Sequence, residues 1–267
     1  MKLVFLGFGT IANLIYSEIK QGKLPGIEAI GVLDPVLQRE KAGELSAYGF
    51  SVFKDLEEVV SRSPDLVVEA ASQQAAKENV PFILSHGIDV LSLSVGAYLD
   101  RGVMDQIKKS ARGRLYISSG ALPCVDAVKA ASMGRIDRVE LITRKRPKAL
   151  LGAPGLNQQD VDIESITEAY TVFQGNAAEA VKLFPANVNI AATLSLAGIG
   201  PEKTLVKIIA DPDLKVNVHQ LHLSGDFGIL DATIECLPSS NPKTSLIAAS
   251  SAITVLKNFN SMVKIGN

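Results

Sequence analysis

Lys2-Leu3-Val4-Phe5-Leu6-Gly7-Phe8-Gly9-Thr10-Ile11-Ala12 is the stretch on which the reading of this chain turns. It reads as a buried strand, a tight glycine turn and the start of a helix. The spacing is G-x-G-x-x-A at Gly7, Gly9 and Ala12. In a dinucleotide-binding turn each small residue has its own task. Gly7 lets the chain leave the strand sharply, Gly9 lets backbone approach a pyrophosphate, and Ala12 keeps helix close to strand. The amides of Thr10, Ile11 and Ala12 then face the phosphates at the positive end of the helix dipole. Glycines alone are weak evidence, since ordinary β-turn-α joints use them too. The context strengthens the reading: an amphipathic helix follows, then a second strand over Glu28 to Leu33, with Asp34 at its end. Asp34 lies 22 residues past Ala12, close to the position of the acid that holds ribose hydroxyls.

Bulk properties narrow the class. The chain has 267 residues, 47% of them hydrophobic, enough for a sizeable core and two lobes. A net charge of −1 implies no basic face for nucleic acid. No apolar run reaches the ~18 residues of a membrane span, and strand 1 starts at once, with no room for a signal peptide. A cytoplasmic protein is expected. Cys124 and Cys236 form no zinc or redox motif and are expected to be buried reduced thiols. No His/Cys/Asp/Glu spacing suggests a metal site.

The first half alternates strands and helices. Strands are expected over 51–53, 65–70, 88–93 and 114–118, and helices over 38–48, 74–85 and 101–111, with Asp55 as an N-cap. This is a doubly wound parallel sheet. Ligands in such sheets lie beyond the carboxyl ends of the strands, which places Ala71, Ser72, Ser94 and the turn from Ser118 to Ala121 along a cofactor groove. Near residue 120 the pattern changes. A helix over 126–133, a strand over 138–143 and a loop over 147–162 are followed by a strand over 169–173 and a helix over 177–183. A further helix starts at Pro185 and carries Asn187 and Asn189. Strands over 204–210, 215–224 and 228–236 imply a second, mainly antiparallel sheet, with Gly225-Asp226-Phe227-Gly228 as a hairpin turn. A long helix starts at Asn241-Pro242-Lys243-Thr244-Ser245. The expected division is a dinucleotide-binding domain over 1–120, a substrate and catalytic domain over 121–240, and a C-terminal helix over 241–267 that packs back on the first.

Chemistry-bearing residues are few. His86 reads as the exposed end of a helix. His219 and His222 share one strand, so they point to opposite faces, and His219 shares its face with Asn217. Imidazole can move a proton near neutral pH; a hydrogen-bonded sheet histidine is the plainer reading. Lys243, Thr244 and Ser245 at a helix start can receive a carboxylate or simply cap the helix. Arg144, Lys145, Arg146 and Lys148 form a basic cluster, either solvated or facing an acidic substrate.

These residues carry a pattern that resembles the L-aspartate dehydrogenase family over nearly the whole length. It is visible in Gly7-Phe8-Gly9, Val68-Glu69-Ala70-Ala71-Ser72, Ser94-Val95-Gly96-Ala97, Ser119-Gly120-Ala121 and Thr143-Arg144-Lys145. It continues in Phe184-Pro185-Ala186-Asn187-Val188-Asn189, Asn217-Val218-His219, Gly225-Asp226-Phe227-Gly228 and Asn241-Pro242-Lys243-Thr244-Ser245. The resemblance implies a Rossmann lobe plus an α/β lobe like that of dihydrodipicolinate reductase, with NAD or NADP as cofactor and a homodimer or larger assembly. It implies His219 as the catalytic histidine, and Ala121 and Asn189 as cofactor contacts. The implied reaction oxidises L-aspartate to iminoaspartate, then oxaloacetate and ammonia, reversibly; the imine product can feed NAD biosynthesis. Two positions depart from the family pattern. Leu122-Pro123-Cys124 stands where an Ile-Gly-Gly-type turn is usual, and Pro123 removes an amide donor there. Arg146 stands where a proline is more frequent.

The resulting expectation is specific. His219 takes a proton from the substrate ammonium, and Lys243, Thr244, Ser245 and Lys145 bind the two carboxylates. Asp34 favours NAD over NADP, Arg39 being the first cation after it. Two other readings compete: a related reductase acting on a homoserine- or dihydrodipicolinate-type acid, and a non-catalytic NAD(H) sensor, because fold alone does not fix function.

Overall fold

The computed structural model describes residues 1–40, 49–158, 162–186, 188–237 and 245–266. They divide into two compact units, Met1–Ser118 with Ala252–Lys264, and Ser119–Ser251 with the last residues of the chain.

The first unit is a six-stranded sheet in the order β3-β2-β1-β4-β5-β6. The strands are β1 (Lys2–Leu6), β2 (Glu28–Leu33), β3 (Ser51–Val52), β4 (Leu66–Glu69), β5 (Asp89–Ser92) and β6 (Leu115–Ile117), all paired in parallel. A parallel strand is covered on both faces and so is apolar on both. Leu3, Val4 and Phe5 are accordingly all fully buried. The connecting helices are α1 (Thr10–Lys20), α2 (Pro35–Glu40), α3 (Leu56–Ser61), α4 (Gln73–Ser85) and α5 (Arg101–Ser110). Asp55 caps α3 as expected, accepting from the Glu58 amide at 2.8 Å. The helix expected from residue 38 instead starts at Pro35, directly after Asp34. Proline at a first helical position loses no hydrogen bond and has a helical φ already. The rest of that expected helix, 41–48, lies outside the described residues. Ala252 and Leu256, from the second half of the last helix, are buried in the same core cluster as Leu3, Phe5 and Ile15.

The second unit carries a five-stranded sheet in the order β11-β10-β7-β9-β8. Its strands are β7 (Ile136–Lys145), β8 (Tyr170–Asn176), β9 (Leu205–Ala210), β10 (Asn217–Gly225) and β11 (Gly228–Cys236). The sheet is mixed: β7 and β9 run parallel, the other pairs antiparallel. Its helices are α6 (Val125–Ala131), α7 (Pro147–Leu150), α8 (Ala177–Leu183), α9 (Asn189–Ala197) and the start of α10 (Leu246–Asn260). Two expectations change here. The loop over 147–162 contains α7 and a 3₁₀ turn at Pro154–Gln158, and α9 starts at Asn189, not Pro185. Proline marks only where a helix can begin; the start is decided by where backbone bonds close.

Register follows from the hairpin. Gly225 pairs with Gly228, so a two-residue turn sets Asn217 opposite Cys236 and His219 opposite Ile234. On the other side His219 faces Thr143. With period-two alternation, Val139, Leu141, Thr143 and Lys145 on β7 and Asn217, His219, Leu221 and Leu223 on β10 share one buried face.

Candidate active site

Two groups of expected site residues are assembled, one in each unit. In the first, the glycine turn, Asp34, Ala71 and Ser72 line a cavity of about 810 Å³, within the range of small-molecule and cofactor sites. Gly7 has φ +82°, and a Cβ there would sit 2.6 Å from Ala71 Cβ. Gly9 is the opposite case: a Cβ there would meet nothing within 4 Å. The space in front of Gly9 is what a close backbone approach to a phosphate requires. Gly9 is also the N-cap of α1 and supplies no side chain to its first amides, among them those of Thr10, Ile11 and Ala12. Those donors and the helix dipole suit an anion. Ala12 is itself fully buried, so its part is to let α1 pack.

Asp34 is held in place rather than loose. Its Oδ2 accepts from the Phe8 amide at 2.8 Å, and Oδ1 from the Val36 and Leu37 amides at 2.8 and 3.2 Å. The carboxylate thus ties the glycine turn to the start of α2. Ser72 caps α4, accepting from Ala75 at 3.1 Å. Ser94 and Ser118, expected on the groove, are instead buried. Ser94 turns inward to Glu69, donating from Oγ at 2.8 Å.

In the second unit Lys145, His219 and Ser245 come together with three residues to which the sequence reading assigned no role. His219 is 3% exposed, and its Nδ1 lies 3.2 Å from Thr143 Oγ1. Asn217 donates from Nδ2 to Ser245 Oγ at 3.2 Å. Cys236, opposite Asn217, is buried and hydrogen-bonded to Ser245. Lys145 is 4% exposed, on the same face as Thr143. Burial pulls its ammonium down to about 8, with the Cys236 sulfur acting the other way. Burial and the Lys145 charge hold the His219 imidazole down to about 3, so it is neutral throughout the physiological range. Burial pushes the Cys236 thiol up. Cys124 departs from expectation: it is exposed, with φ +56° at the N-cap of α6. That left-handed conformation favours the glycine of the family pattern. Ala121 is buried in the turn after Gly120, and Asn189 is the first residue of α9. Lys243 and Thr244, with Asn187, lie outside the described residues. His86 caps the end of α4 and is exposed, and His222 faces away from His219, bonded to Asp231 at 2.7 Å. Among the described residues no group of His, Cys, Asp and Glu could hold a metal ion, and no helix is long and apolar enough to cross a membrane.

The comparisons with known proteins separate along the same line. Residues 7–114 match the family described as "Homoserine dehydrogenase, NAD binding domain". Residues 126–259 match "Aspartate dehydrogenase, C-terminal". The L-aspartate dehydrogenase of Methanosarcina mazei is 40% identical over 278 aligned residues, spanning 100% of this chain and 99% of that protein. That of Methanosarcina acetivorans is 41% identical over 273, again 100% and 99%. This chain belongs to the L-aspartate dehydrogenase family. The crystal structure of an aspartate dehydrogenase from Thermotoga maritima superposes with a TM-score of 0.78 at 26% identity, covering 100% of this chain and 99% of that one. An archaeal homoserine dehydrogenase, at 14% identity and a TM-score of 0.57, shares the fold. Within the family frame the first unit is an NAD(P)-binding domain, and the features around Gly9 and Asp34 fit a pyridine dinucleotide.

Thr143, Asn217 and Cys236 were within reach of the sequence. Alternation along β7 and β10 puts Thr143 beside Lys145 and Asn217 beside His219. The two-residue hairpin turn then counts back from Gly225 and Gly228 to Asn217 and Cys236.

Proposed function

We propose that this chain oxidises L-aspartate to iminoaspartate and so to oxaloacetate and ammonia, with His219 as the proton acceptor. The observation that carries the reading is a histidine and a lysine, both buried, on one sheet face. Aspartate brings two carboxylates and an ammonium. Its Cα–H bond breaks toward an acceptor only once the amine is neutral, so a base must first remove an ammonium proton. A nicotinamide, when bound, supplies the two-electron acceptor. The contact with Thr143 fixes the His219 ring, and aspartate carboxylates bound beside Lys145 raise its proton affinity for the transfer. Once it has passed that proton to solvent, the same ring can deprotonate the water that adds to the iminium carbon. Lys145, Ser245 and, next in sequence, Thr244 and Lys243 are assigned to the substrate carboxylates. Gly7, Gly9, Thr10, Ile11, Ala12, Asp34, Ala71, Ser72, Ala121 and Asn189 are assigned to the dinucleotide. The test is aspartate-dependent reduction of NAD⁺ or NADP⁺ by the full-length chain against a panel of other amino acids. Reduction with homoserine but not aspartate would reject the reading, and nucleotide binding without any turnover would favour a sensor.

Lys145 offers a sharper check on substrate binding. A buried ammonium facing a substrate carboxylate is a charge-assisted contact, and losing one partner of such a pair costs about 2–5 kcal/mol. Lys145→Met is therefore expected to raise the KM for aspartate on the order of 10²-fold. An unchanged KM in a folded variant removes Lys145 from the site.

NAD is the preferred cofactor in this proposal. A carboxylate accepts from ribose hydroxyls and repels a 2′-phosphate, and the three amides on Asp34 hold it in that role. Arg39, the first cation in sequence, donates back to Pro35 O at 3.1 Å. Among the described residues Lys54 is the cation that lines the same cavity and is available to a 2′-phosphate. Asp34→Ser keeps a helix-capping side chain while removing the charge. It is expected to shift the NADP/NAD ratio of kcat/KM by about 10- to 100-fold toward NADP, measured with saturating aspartate. A ratio unmoved by the substitution rules out Asp34 as the discriminator. The assembly is proposed to be a homodimer or larger, and the location cytoplasmic.

A further inference from the structure

Glu69 is the one fully buried carboxylate among the described residues. It ends β4, and its partners there are amides and hydroxyls, not cations. Oε1 accepts from the Ala71 amide at 2.9 Å and from Ser94 Oγ at 2.8 Å. Oε2 accepts from Ser92 Oγ and, at 3.0 Å, from the Ser94 amide. The two turns that leave β4 and β5 are thereby tied to one side chain. Four donors aimed at its two oxygens suit an ionised carboxylate, and the neighbouring Tyr98 hydroxyl is held protonated far above its ordinary range, first by burial and then by Glu69. Burying an ion without a counter-ion is costly, and the turns alone could be joined by neutral groups.

The sheet order places this charge on the far side of the switch point from Asp34. A dinucleotide with its adenosine ribose at Asp34, after β2, and its pyrophosphate at the glycine turn, after β1, must direct its other half across the switch point toward β4 and β5. That half is the nicotinamide nucleoside. Ala71, bonded to Glu69, already lines the groove and abuts Gly7. The oxidised nicotinamide ring is a cation and the reduced ring is neutral. We propose that Glu69 is a positioning residue whose buried charge favours the oxidised over the reduced nicotinamide in the bound state. The inference rests on the pyridine-dinucleotide reading of the groove. Its consequence is thermodynamic: tighter binding of one form shifts the bound redox equilibrium by the same factor.

The experiment is titration calorimetry of the full chain with NAD⁺ and NADH separately, or with NADP⁺ and NADPH if those bind tighter. In Glu69→Gln, nearly isosteric and uncharged, the ratio Kd(oxidised)/Kd(reduced) is expected to rise about 5- to 10-fold, the scale of one partly screened charge. Ser92→Ala removes a hydroxyl but keeps the charge, and should hold the ratio within about twofold while lowering Tm. A merely structural Glu69 would weaken both nucleotides equally in Glu69→Gln; that result, or an unmoved ratio, overturns the proposal. Should Glu69→Gln fail to fold, Gln73→Lys takes its place. The Gln73 amide packs on Gly96, just past Ser94, whose amide and hydroxyl both donate to Glu69, so a lysine there puts a positive charge on the segment that holds the carboxylate. It must move the ratio in the same direction by about twofold or more, and no movement again overturns the proposal. Wild-type protein that binds no pyridine nucleotide at all would instead reject the dinucleotide reading.

Discussion

His219→Ala is expected to lower kcat for aspartate oxidation by about 10²–10⁴-fold, the usual contribution of a positioned general base. The nucleotide Kd should stay within about twofold, because His219 is assigned to the substrate proton and not to the dinucleotide. The argument rests on the form of the ring. At 3% exposure, and facing the same buried layer as Lys145, it carries no proton at working pH. A ring held low by burial and Lys145 is a weak base; bound substrate carboxylates offset the Lys145 charge and supply the negative charge that favours its protonated form, so that it takes the ammonium proton only in the substrate complex. Added imidazole should restore part of the lost rate if the cavity left by the side chain admits it. Near-normal turnover at saturating aspartate and neutral pH would falsify the assignment. A second readout concerns stability and needs no substrate. An imidazole that titrates near 6.5 when unfolded but near 3 when folded binds its proton first in the unfolded chain. It therefore contributes nothing above pH 6.5, and destabilises increasingly as pH falls from 6.5 toward 3. Folded His219→Ala protein should show a shallower loss of Tm over that window than the wild type.

Gly9→Val should raise the nucleotide Kd at least 10²-fold with Tm nearly unchanged. Gly7→Val should do the reverse in emphasis and compromise folding itself. The two glycines look alike in sequence and differ in surroundings. Gly9 has extended backbone, φ −81°, and open space where a Cβ would stand, so valine costs the fold little. It fills the place where a phosphate must approach backbone amides, and three extra carbons push that ligand out of hydrogen-bond range. Gly7 has φ +82° and would drive its Cβ to 2.6 Å from Ala71. Left-handed strain costs about 1–3 kcal/mol and overpacking about as much again. Thermal unfolding with and without nucleotide separates the two effects. Equal Tm losses at both positions would show that the distinction drawn from their surroundings is wrong.

Much of this was legible because it is local. The strand, turn and helix over residues 2–20, Asp34 at the end of β2 and the Asp55 cap are short-range features, set by apolar runs and by residues with particular backbone preferences. Opposite orientations for His219 and His222 follow from strand alternation alone. What failed was also local, but underdetermined. The helix expected from residue 38 begins at Pro35, Pro185 does not begin one, and the stretch after Pro147 holds helical turns. Proline excludes conformations without choosing among those left. Cys124 was read as buried because cysteine usually is; its exposure comes from a turn that points it outward.

By itself the sequence determined a parallel sheet with a dinucleotide turn, a second sheet bearing His219, and the family to which both belong. These depend on spacing, period and motif, which a linear chain displays directly. Only the tertiary structure decided that Gly7 is held against Ala71 while Gly9 faces open space, that Ser94 turns from the groove to Glu69, and that Lys145, Cys236 and Ser245 share the buried face of His219. Such facts depend on cross-strand register and on what packs over each residue. Burial then acts on the charges: the same lysine and histidine on an exposed face would keep their ordinary proton affinities.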